Sequence, residues 1–333
     1  MVKALIMAGG IGERLWPVST PEKPKQFHSF GSKRMMIEKT IDRIKNIVDD
    51  IYIVTTKKQA ELFYRYLRDF PKENIISEPA RKNTAPAIVF GSAMMNDEDI
   101  MVILPADHII RDIDLFQKTI MNAVDEAKKH DELITIGISP SEPNTGYGYI
   151  ERGELLDSAK NLYRVKMFHE KPNHEKANLY FTSGKFYWNS GMFIWRKKVL
   201  IDAVQKKIPE VYRGYLEYLE DSNKFEEIYS NLPSISIDYG IMEKSTNVEV
   251  IPGNFYWNDI GSWLSVYDLE KKDSLGNAVI GNFKLNEVSN SLLINYTENK
   301  IGITDLNNVA VIVSDEGILI SDINKTQNVK KLL

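Results

Sequence analysis

The chain has no cysteine among its 333 residues. This absence excludes disulfide bonds, thiolate nucleophiles and metal sites built on cysteine ligands. It is compatible with a reducing compartment, and we expect a cytoplasmic protein. Long apolar runs are lacking too: the N-terminal run is shorter than a signal peptide requires, and no later run reaches the length of a membrane span. The sequence therefore predicts no membrane association.

A surplus of basic residues is also absent, because 42 lysines and arginines stand against 46 aspartates and glutamates, for a formal net charge of −4. Nucleic-acid binding usually needs a basic face, so we expect no nucleic-acid partner. Small anionic ligands are not excluded, since backbone amides and a bound metal ion can hold phosphate groups locally. The hydrophobic fraction of 43% predicts a sizeable folded core.

Short apolar runs alternate with amphipathic segments in the first half of the chain. The predicted strands are 4–8, 51–55, 74–77, 99–104 and 133–138. Helical patterns separate them, which is typical of parallel β-α-β crossovers. The strands are apolar throughout, as expected for a sheet covered on both faces. The fold class that we predict is α/β, with a Rossmann-like, doubly wound and mostly parallel sheet.

The pattern changes near residue 276, where short β segments are separated by glycine, asparagine and aspartate. This pattern predicts a small all-β, β-helix-like appendage that ends in a helix at 327–333. We therefore expect a catalytic domain at 1–275 and an appendage at 276–333. Because short β segments rarely stand alone, we also expect edge strands of the appendage to pair in a homodimer.

A glycine-rich segment, 8–17, directly follows the first predicted strand. Gly9, Gly10 and Gly12 permit close backbone approach, so that amide groups starting at Ala8 can surround a polyphosphate. Arg14 can add a charged clamp. The spacing is not that of a P-loop, and the missing third glycine disfavours a dinucleotide-binding dehydrogenase. An ordinary strand-to-helix turn is the structural alternative.

The pattern Gly-Gly-x-Gly-x-Arg-Leu-x-Pro at 9–17, followed by Lys-Pro-Lys-Gln-Phe at 23–27, resembles the signature of nucleotide-sugar pyrophosphorylases. The Pro-Lys-Gln-Phe form is similar to that of the mannose-1-phosphate guanylyltransferase branch. The resemblance implies that Arg14 and Lys25 hold the β- and γ-phosphates, which leave as pyrophosphate. A lone loop lysine would otherwise be read as a solvated charge.

Two aspartates are candidate metal ligands. Asp107 follows the apolar strand predicted at 99–104, and Asp259 lies in the aromatic segment 256–263. A carboxylate at the end of a strand suits Mg²⁺, which binds one or two carboxylates together with substrate phosphates. Each aspartate taken alone is more typical of a cap or a turn. The resemblance implies that both bind Mg²⁺, although the sequence does not show that they meet.

Three further segments resemble the sugar-binding half of the family. Gly146 and Gly148 lie in 144–150, Glu170 and Lys171 in 168–172, and Asn189 in 188–193. The resemblance implies that Glu170 accepts hydrogen bonds from sugar hydroxyls and that Lys171 binds the sugar phosphate. It also implies that the Asn189 amide both donates and accepts hydrogen bonds. A Glu-Lys-Pro triplet by itself would indicate only the surface end of a strand.

The segment 77–87 resembles the family's base-binding segment, which precedes a helix. Thr84 is a candidate nucleotide-binding residue, but it also fits a purely structural role as the cap of that helix. Asn83 or Glu78 would read the base. A carboxylate matches the N1–H and 2-amino donors of guanine and repels the acceptor N1 of adenine, so Glu78 favours GTP.

Taken together, the resemblance implies an enzyme that transfers GMP from GTP to mannose 1-phosphate, giving GDP-mannose and pyrophosphate with Mg²⁺. The nucleophile is already anionic, so no general base is required. The residues expected to carry catalysis are Arg14, Lys25, Asp107, Lys171 and Asp259. Two alternatives stay open: a related enzyme for another base or sugar, and a non-catalytic regulatory homologue, which should have lost parts of the site.

Overall fold

The computed structural model describes residues 1–333 and divides them into two compact units. The first unit comprises residues 1–9, 40–106 and 110–257. The second unit comprises residues 10–39, 107–109 and 258–333. The domain boundary expected near residue 276 stays a prediction. None of the helices combines the length and the apolar character that a membrane crossing would need.

The strands follow the apolar runs of the sequence. They are β1 (Val2–Met7), β2 (Asp50–Thr56), β3 (Ile75–Glu78), β4 (Ile100–Pro105), β5 (Ile109–Ile110), β6 (Leu133–Ile138), β7 (Tyr149–Asp157), β8 (Leu162–His169), β9 (Phe186–Arg196), β10 (Val248–Gly253), β11 (Trp257–Asn258), β12 (Ala278–Ile280), β13 (Phe283–Ser289), β14 (Leu292–Asn295), β15 (Ile301–Asn307), β16 (Val309–Ser314) and β17 (Gly317–Asp322).

The helices fill most of the intervals between strands in the first 270 residues. They are α1 (Met36–Ile44), α2 (Lys57–Tyr66), α3 (Thr84–Gly91), α4 (Ile113–Lys129), α5 (His174–Ser183), α6 (Lys197–Lys207), α7 (Pro209–Glu220), α8 (Phe225–Asn231), α9 (Ile237–Gly240) and α10 (Trp263–Leu269). Short 3₁₀ turns add to them. The helix expected at 327–333 is instead part of a longer 3₁₀ segment, Ile323–Leu332.

The first unit is organised around a nine-stranded sheet with the order β3-β2-β1-β4-β9-β6-β10-β8-β7. Parallel pairs join β1 to β2 and β4, β2 to β3, and β6 to β10. β9 is antiparallel to both β4 and β6. The α/β class with a large and mostly parallel sheet is therefore confirmed, with β9 antiparallel near its centre and β8 antiparallel to its neighbours β10 and β7.

Both faces of this sheet are covered, which explains the continuously apolar strands. Met101 and Ile103 belong to one buried apolar cluster, while Val102 and Leu104 belong to a second. Successive side chains of a strand point to opposite faces, so the two clusters lie on opposite sides of the sheet. Burial of both faces is what makes the ends of the central strands the accessible places for polar groups.

Strand β10 was not expected from the sequence, although it lies inside the sheet beside β6. Glu249 and Pro252 interrupt its apolar pattern, and proline is usually excluded from interior strands. Glu249 is nevertheless buried, and it pairs with Arg164 of β8 at 3.3 Å. The neighbouring cation thus offsets part of the cost of burying a carboxylate in the strand, although burial still raises the pKa of Glu249.

The second unit contains the C-terminal strands. β12, β14 and β16 pair in parallel, β17 adds to β16 in the antiparallel sense, and β13 pairs in parallel with β15. An apolar cluster that includes Leu15, Trp263 and Ile312 joins these strands to the glycine-rich segment. The Trp263 indole also donates a hydrogen bond to the carbonyl of Trp16 at 2.9 Å. The segment after Gly9 is therefore packed against a folded β layer.

Candidate functional site

A cavity of about 280 Å³ lies in the second unit. Four residues that the sequence singles out as catalytic line it together: Arg14, Lys25, Asp107 and Asp259. The remaining lining residues are Gly12, Glu13, Leu15, His108, Ile260, Gly261 and Lys330. The two aspartates, which are far apart in the chain, therefore face one space. A cavity with several cations and carboxylates is suited to a polyphosphate and a hard metal ion.

Lys25 connects the two aspartates. Its ammonium donates to Asp107 Oδ2 at 2.7 Å and to the backbone carbonyl of Asp259. The residue is only 5% exposed. A buried ammonium requires such partners, because an unpaired charge would be expensive to remove from water. Lys25 is therefore a fixed part of the site and not a solvated loop charge.

Gly12 is what allows Lys25 to come so close to the glycine-rich segment. Its φ of 84° lies in the left-handed region, which is uncommon for residues with a side chain. A β-carbon at Gly12 would also lie 2.6 Å from the β-carbon of Lys25. The Lys25 amide donates to the carbonyl of Ile11 at 2.8 Å, which holds the two segments together.

Asp107 is held in its ionised form. Burial raises the pKa of its carboxyl group, but the charges of Lys25 and His108 and the hydrogen bond from Lys25 lower it more, so that the pKa stays below its usual range. Asp107 is therefore anionic at neutral pH. An anionic oxygen ligand is the kind of group that Mg²⁺ binds.

The turn that carries Asp259 has an unusual backbone. Ile260, which is 1% exposed, has a φ of 48°, and this conformation is rare for a β-branched residue. Its amide donates to Asn258 Oδ1 at 2.7 Å, and the Gly261 amide donates to Asp259 Oδ1 at 3.1 Å. Strained backbone of this kind is often found at functional sites. Here it fixes the orientation of the Asp259 carboxylate.

Two further cations reach the cavity. Arg14 is exposed and forms no ion pair with an acidic side chain. Lys330, from the C-terminal 3₁₀ segment, pairs with Glu13 at 3.2 Å. Sequence reasoning assigned no role to Lys330. Arg14 thus brings to the cavity a guanidinium that forms no ion pair with an acidic side chain, a group suited to bind phosphate oxygens.

The predicted sugar-binding residues meet in the first unit. The Asn189 backbone amide donates to the carbonyl of Gly148 at 2.8 Å. A β-carbon at Gly148 would lie 2.7 Å from Glu170 Oε2, so only glycine lets this carboxylate approach. Gly148, Glu170 and Asn189 therefore form one surface. Gly146 lies nearby in the chain, and its exposed amide donates to Asn144 Oδ1 at 2.8 Å.

Lys171 is exposed, and its ammonium lies 3.2 Å from Glu170 Oε1. Its φ of 38° is another left-handed value at a residue that is not glycine. An exposed pair of this kind contributes little to stability. Lys171 is therefore available to exchange its carboxylate partner for a ligand phosphate.

Sequence reasoning missed Asp238, at the start of α9. Its Oδ1 accepts a hydrogen bond of 2.6 Å from the Asn189 side-chain amide. Burial raises the pKa of Asp238, and the nearby Glu170 charge adds to this rise. The carboxylates of Glu170 and Asp238 therefore lie near one surface, and Asn189 is held there by the Gly148 carbonyl and by Asp238. Together these groups offer acceptors for several hydroxyl groups. A lone aspartate in a short helix carries no sequence signal for this role.

The candidate base-reading residues also lie in the first unit. Glu78 ends β3, is 7% exposed and accepts a hydrogen bond from the Tyr229 hydroxyl through Oε2. Its Oε1 would lie 3.4 Å from a β-carbon at Gly9. Burial raises the pKa of Glu78 to about 7. Glu78 therefore borders Gly9 and can change its charge near neutral pH.

The start of α3 differs from the expectation in one detail. Asn83, with a φ of 68°, is the N-cap residue, and its Oδ1 accepts from the Thr84 amide at 2.8 Å. Thr84 lies in the first turn, so its predicted role as the cap is wrong. Its hydroxyl accepts a hydrogen bond from the Ile237 amide at 2.8 Å.

Two further candidate nucleotide-binding residues lie in the glycine-rich segment. The Ala8 amide donates to the carbonyl of Val54 at 2.8 Å, and Gly10 is exposed.

The chain is similar to known proteins over most of its length. The nucleotidyl transferase family model matches residues 3–275. A mannose-1-phosphate guanylyltransferase of Salmonella montevideo is 36% identical over 350 residues, which cover 100% of this chain and 73% of the relative. A protein of the same name from Escherichia coli K12 is 35% identical, over 99% of this chain and 72% of the relative.

Among solved structures, one described as mannose-1-phosphate geranyltransferase from Thermus thermophilus matches with a TM-score of 0.90. It is 27% identical and covers 99% of this chain and 98% of its own. The likeness in three dimensions therefore extends over both units, each of which contains a group of the candidate site residues.

Proposed function

The chain belongs to the nucleotidyl transferase family and is a transferase enzyme, and we propose that it transfers GMP from GTP to mannose 1-phosphate, giving GDP-mannose and pyrophosphate. The names of its relatives support this choice of substrates. The observation that carries the proposal is the contact of the Lys25 ammonium with Asp107 and with the Asp259 backbone, in a cavity that Arg14 also lines.

Arg14 and Lys25 bind the β- and γ-phosphates in this proposal. Arg14 supplies a permanent charge and a bidentate donor pair, and Lys25 supplies a buried ammonium close to a carboxylate. As the bond between the α-phosphorus and its bridging oxygen breaks, negative charge accumulates on the departing pyrophosphate. Fixed cations at that position stabilise the transition state more than the bound substrate, which raises the rate.

Asp107 and Asp259 are the proposed ligands of Mg²⁺. Their chemistry fits, because both are hard oxygen donors that line the same cavity, and Asp107 is held anionic by Lys25 and His108. No group of three or more acidic or histidine side chains clusters as a metal site within residues 1–333. A magnesium site with few protein ligands is common where substrate phosphates complete the coordination. Bound there, Mg²⁺ would neutralise charge on the α-phosphate.

The sugar phosphate is the nucleophile. One of its oxygens forms the new bond to the α-phosphorus, and the pyrophosphate leaves with the bridging oxygen and its electron pair. Because that oxygen is already anionic, no side chain has to remove a proton. Lys171 would bind the phosphate of mannose 1-phosphate. Glu170 and Asp238 would accept hydrogen bonds from the hexose hydroxyls, and Asn189 would donate or accept them.

We extend the proposal to the base, the assembly and the location. Glu78 would accept hydrogen bonds from N1–H and the 2-amino group of guanine, and Asn83 is the second candidate for reading the base. The parallel pairing of strands two apart, as in β12 with β14, supports a β-helix-like coil in the C-terminal strands. We also propose that edge strands of this region pair to form a homodimer. The proposed location of the protein is the cytoplasm.

A direct assay tests the proposed reaction. The purified chain is incubated with GTP, ATP, UTP or dTTP, each with mannose 1-phosphate or glucose 1-phosphate, with Mg²⁺ or with a chelator. We expect pyrophosphate release to be fastest with GTP, mannose 1-phosphate and Mg²⁺. Faster turnover of another pair would assign a different base or sugar. No turnover with any pair, despite nucleotide binding, would indicate a regulatory homologue.

A further inference from the structure

The Tyr229 hydroxyl is the hydrogen-bond partner of the Glu78 carboxylate, and the two residues are distant in the chain. Tyr229, on α8, is 0% exposed, and Glu78 is 7% exposed. The hydroxyl donates to Oε2. Because a buried carboxylate has little access to water, this hydrogen bond is a major determinant of its orientation.

The ring of Tyr229 has little freedom to move. It packs edge-on against Phe90, with ring centroids 5.1 Å apart, and against Phe225, with centroids 5.3 Å apart. Rings in such clusters resist displacement, since each contact would be lost together with buried area. The packed ring therefore holds the Tyr229 hydroxyl in a fixed position next to Glu78.

The second oxygen of Glu78 lies on the side of the glycine-rich segment, where Oε1 would be 3.4 Å from a β-carbon at Gly9. With Oε2 held by Tyr229, the plane of the carboxylate is fixed relative to Gly9. Glu78 also ends a parallel strand, β3, and ligands of α/β sheets bind beyond such strand ends.

We propose that Tyr229 sets the base preference of the nucleotide site by holding the Glu78 carboxylate in the orientation and the ionised form that accept hydrogen bonds from guanine. The inference rests on the proposed function, in which Glu78 reads the base. Tyr229 does not touch the nucleotide and is a positioning residue.

The charge of Glu78 decides which base it matches. An ionised carboxylate only accepts, which suits N1–H and the 2-amino group of guanine. A protonated carboxyl group donates once and accepts once, which suits N1 and the 6-amino group of adenine. Burial raises the pKa of Glu78 to about 7, whereas the Tyr229 hydrogen bond and the Arg81 charge lower it. Tyr229 and Arg81 are the groups that influence this equilibrium, so loss of the hydroxyl favours the protonated form.

The test compares Tyr229→Phe with the wild-type enzyme. The ratio of kcat/KM for GTP to that for ATP, with mannose 1-phosphate, is measured on both sides of neutral pH. We expect the ratio to fall on the order of tenfold in the variant at neutral pH, the effect of one hydrogen bond to a charged group. The pH at which the ratio rises should also move upward, a change that a purely structural defect would not produce.

Tyr215→Phe is the matched control. Tyr215 is also buried and packs edge-on against Phe90, with centroids 5.8 Å apart, but its hydroxyl has no hydrogen-bond partner within the chain. It should keep the wild-type ratio at every pH. Equal effects of the two substitutions would assign the change to packing and overturn the inference.

A second measurement needs no variant. In the wild-type enzyme, the affinity for GTP relative to ATP should rise with pH through neutrality. A ratio independent of pH, or a Tyr229→Phe enzyme with unchanged preference, overturns the role of Tyr229 while leaving turnover of GTP, and hence the proposed function, intact. Failure of the wild-type enzyme to use GTP overturns both.

Discussion

The Lys25 ammonium lies 2.7 Å from Asp107 Oδ2 and also binds the backbone carbonyl of Asp259. Through this one side chain, two proposed metal ligands and a proposed phosphate ligand share a fixed geometry. The ammonium keeps the pKa of Asp107 low against the effect of burial. The same cation therefore has two roles in the proposal: it maintains an anionic metal ligand and binds the leaving group.

Replacement of Asp107 tests the metal site. We expect Asp107→Ala to be less stable, because the buried Lys25 loses its carboxylate partner, but to remain folded, since Asp107 is only partly buried, contributes to none of the apolar clusters, and leaves Lys25 its contact with the Asp259 carbonyl. The variant should lose nearly all turnover. A loss of about 2–4 kcal/mol in transition-state stabilisation is typical when one such electrostatic group is removed. Pyrophosphate release at saturating Mg²⁺ is the measurement, with circular dichroism to confirm folding.

The exposed Asp114, in the first turn of α4, provides the control for this substitution. Asp114→Ala should release pyrophosphate at the wild-type rate. Wild-type activity in Asp107→Ala itself would remove Asp107 from the mechanism.

Gly12 tests the support of Lys25. Gly12→Ala places a β-carbon 2.6 Å from the β-carbon of Lys25 and forces a left-handed φ of 84° on alanine. We expect a loss of about 1–3 kcal/mol in the free energy of unfolding, as for other residues held in sparsely populated backbone regions. Urea denaturation measures it.

Gly302→Ala in β15 is the matched control, since a β-carbon there would have no atom within 4 Å and its φ is not left-handed. This variant should be as stable as the wild type or slightly more stable, because alanine restricts the unfolded chain. If both alanine variants had the same stability, the proposed steric conflict at Gly12 would be absent.

The parallel half of the sheet could be predicted because its residues carry a local signal. Strands such as β1 and β4 are uninterrupted apolar runs followed by helices, and this pattern favours one topology. The antiparallel placement of β9 between β4 and β6 could not be predicted, since it depends on contacts between distant segments. β10 escaped prediction because Glu249 finds its cation, Arg164, only in the folded sheet.

In the candidate site, too, residues with a local sequence signal could be predicted, whereas those defined by distant contacts could not. The resemblance identified Asp107 and Asp259, but nothing in the sequence indicates that Lys25 is buried between them. Asp238 was missed because an isolated aspartate gains meaning only from its contact with Asn189. Tyr229 was missed for the same reason: its hydroxyl gains a role only from the distant Glu78. The spacing of residues in a motif predicts which local segments bind ligands. The side chains that other elements contribute to the site become apparent only in the folded structure.

Lys171 tests the assignment of the sugar phosphate. We expect Lys171→Ala to raise the KM for mannose 1-phosphate on the order of tenfold or more, the value of one charge-assisted contact. The KM for GTP should change much less. Because Lys171 is exposed and pairs only with Glu170, the stability of the protein should be nearly unchanged.

Initial rates at varied concentrations of each substrate separate the two effects of the Lys171 substitution. Lys176→Ala, an exposed lysine of α5, controls for a general loss of positive charge. An equal loss for both substrates in Lys171→Ala would contradict the assigned role.

Glu78 tests the origin of base selectivity. Glu78→Gln keeps the size of the side chain but replaces one acceptor with a donor, which would oppose a donor of guanine. We expect the preference for GTP over ATP, as the ratio of kcat/KM values, to fall by about 1–3 kcal/mol, the cost of an unsatisfied buried group. Glu73→Gln, an exposed glutamate just before β3, should leave the preference unchanged.

The preference for GTP over ATP should also depend on pH, in a direction that follows from the pKa of Glu78. A carboxyl group with a pKa raised to about 7 is neutral below that pH and charged above it. The wild-type preference for GTP should therefore weaken as the pH falls through neutrality. Substrate phosphates also titrate in this range, with a pKa of about 6, but their titration affects GTP and ATP alike and cancels in the ratio. Glutamine does not titrate, so the ratio for Glu78→Gln should be flat. If the Glu78→Gln enzyme keeps both the preference and its pH dependence, base recognition belongs to another residue, and Asn83 would be the next to test.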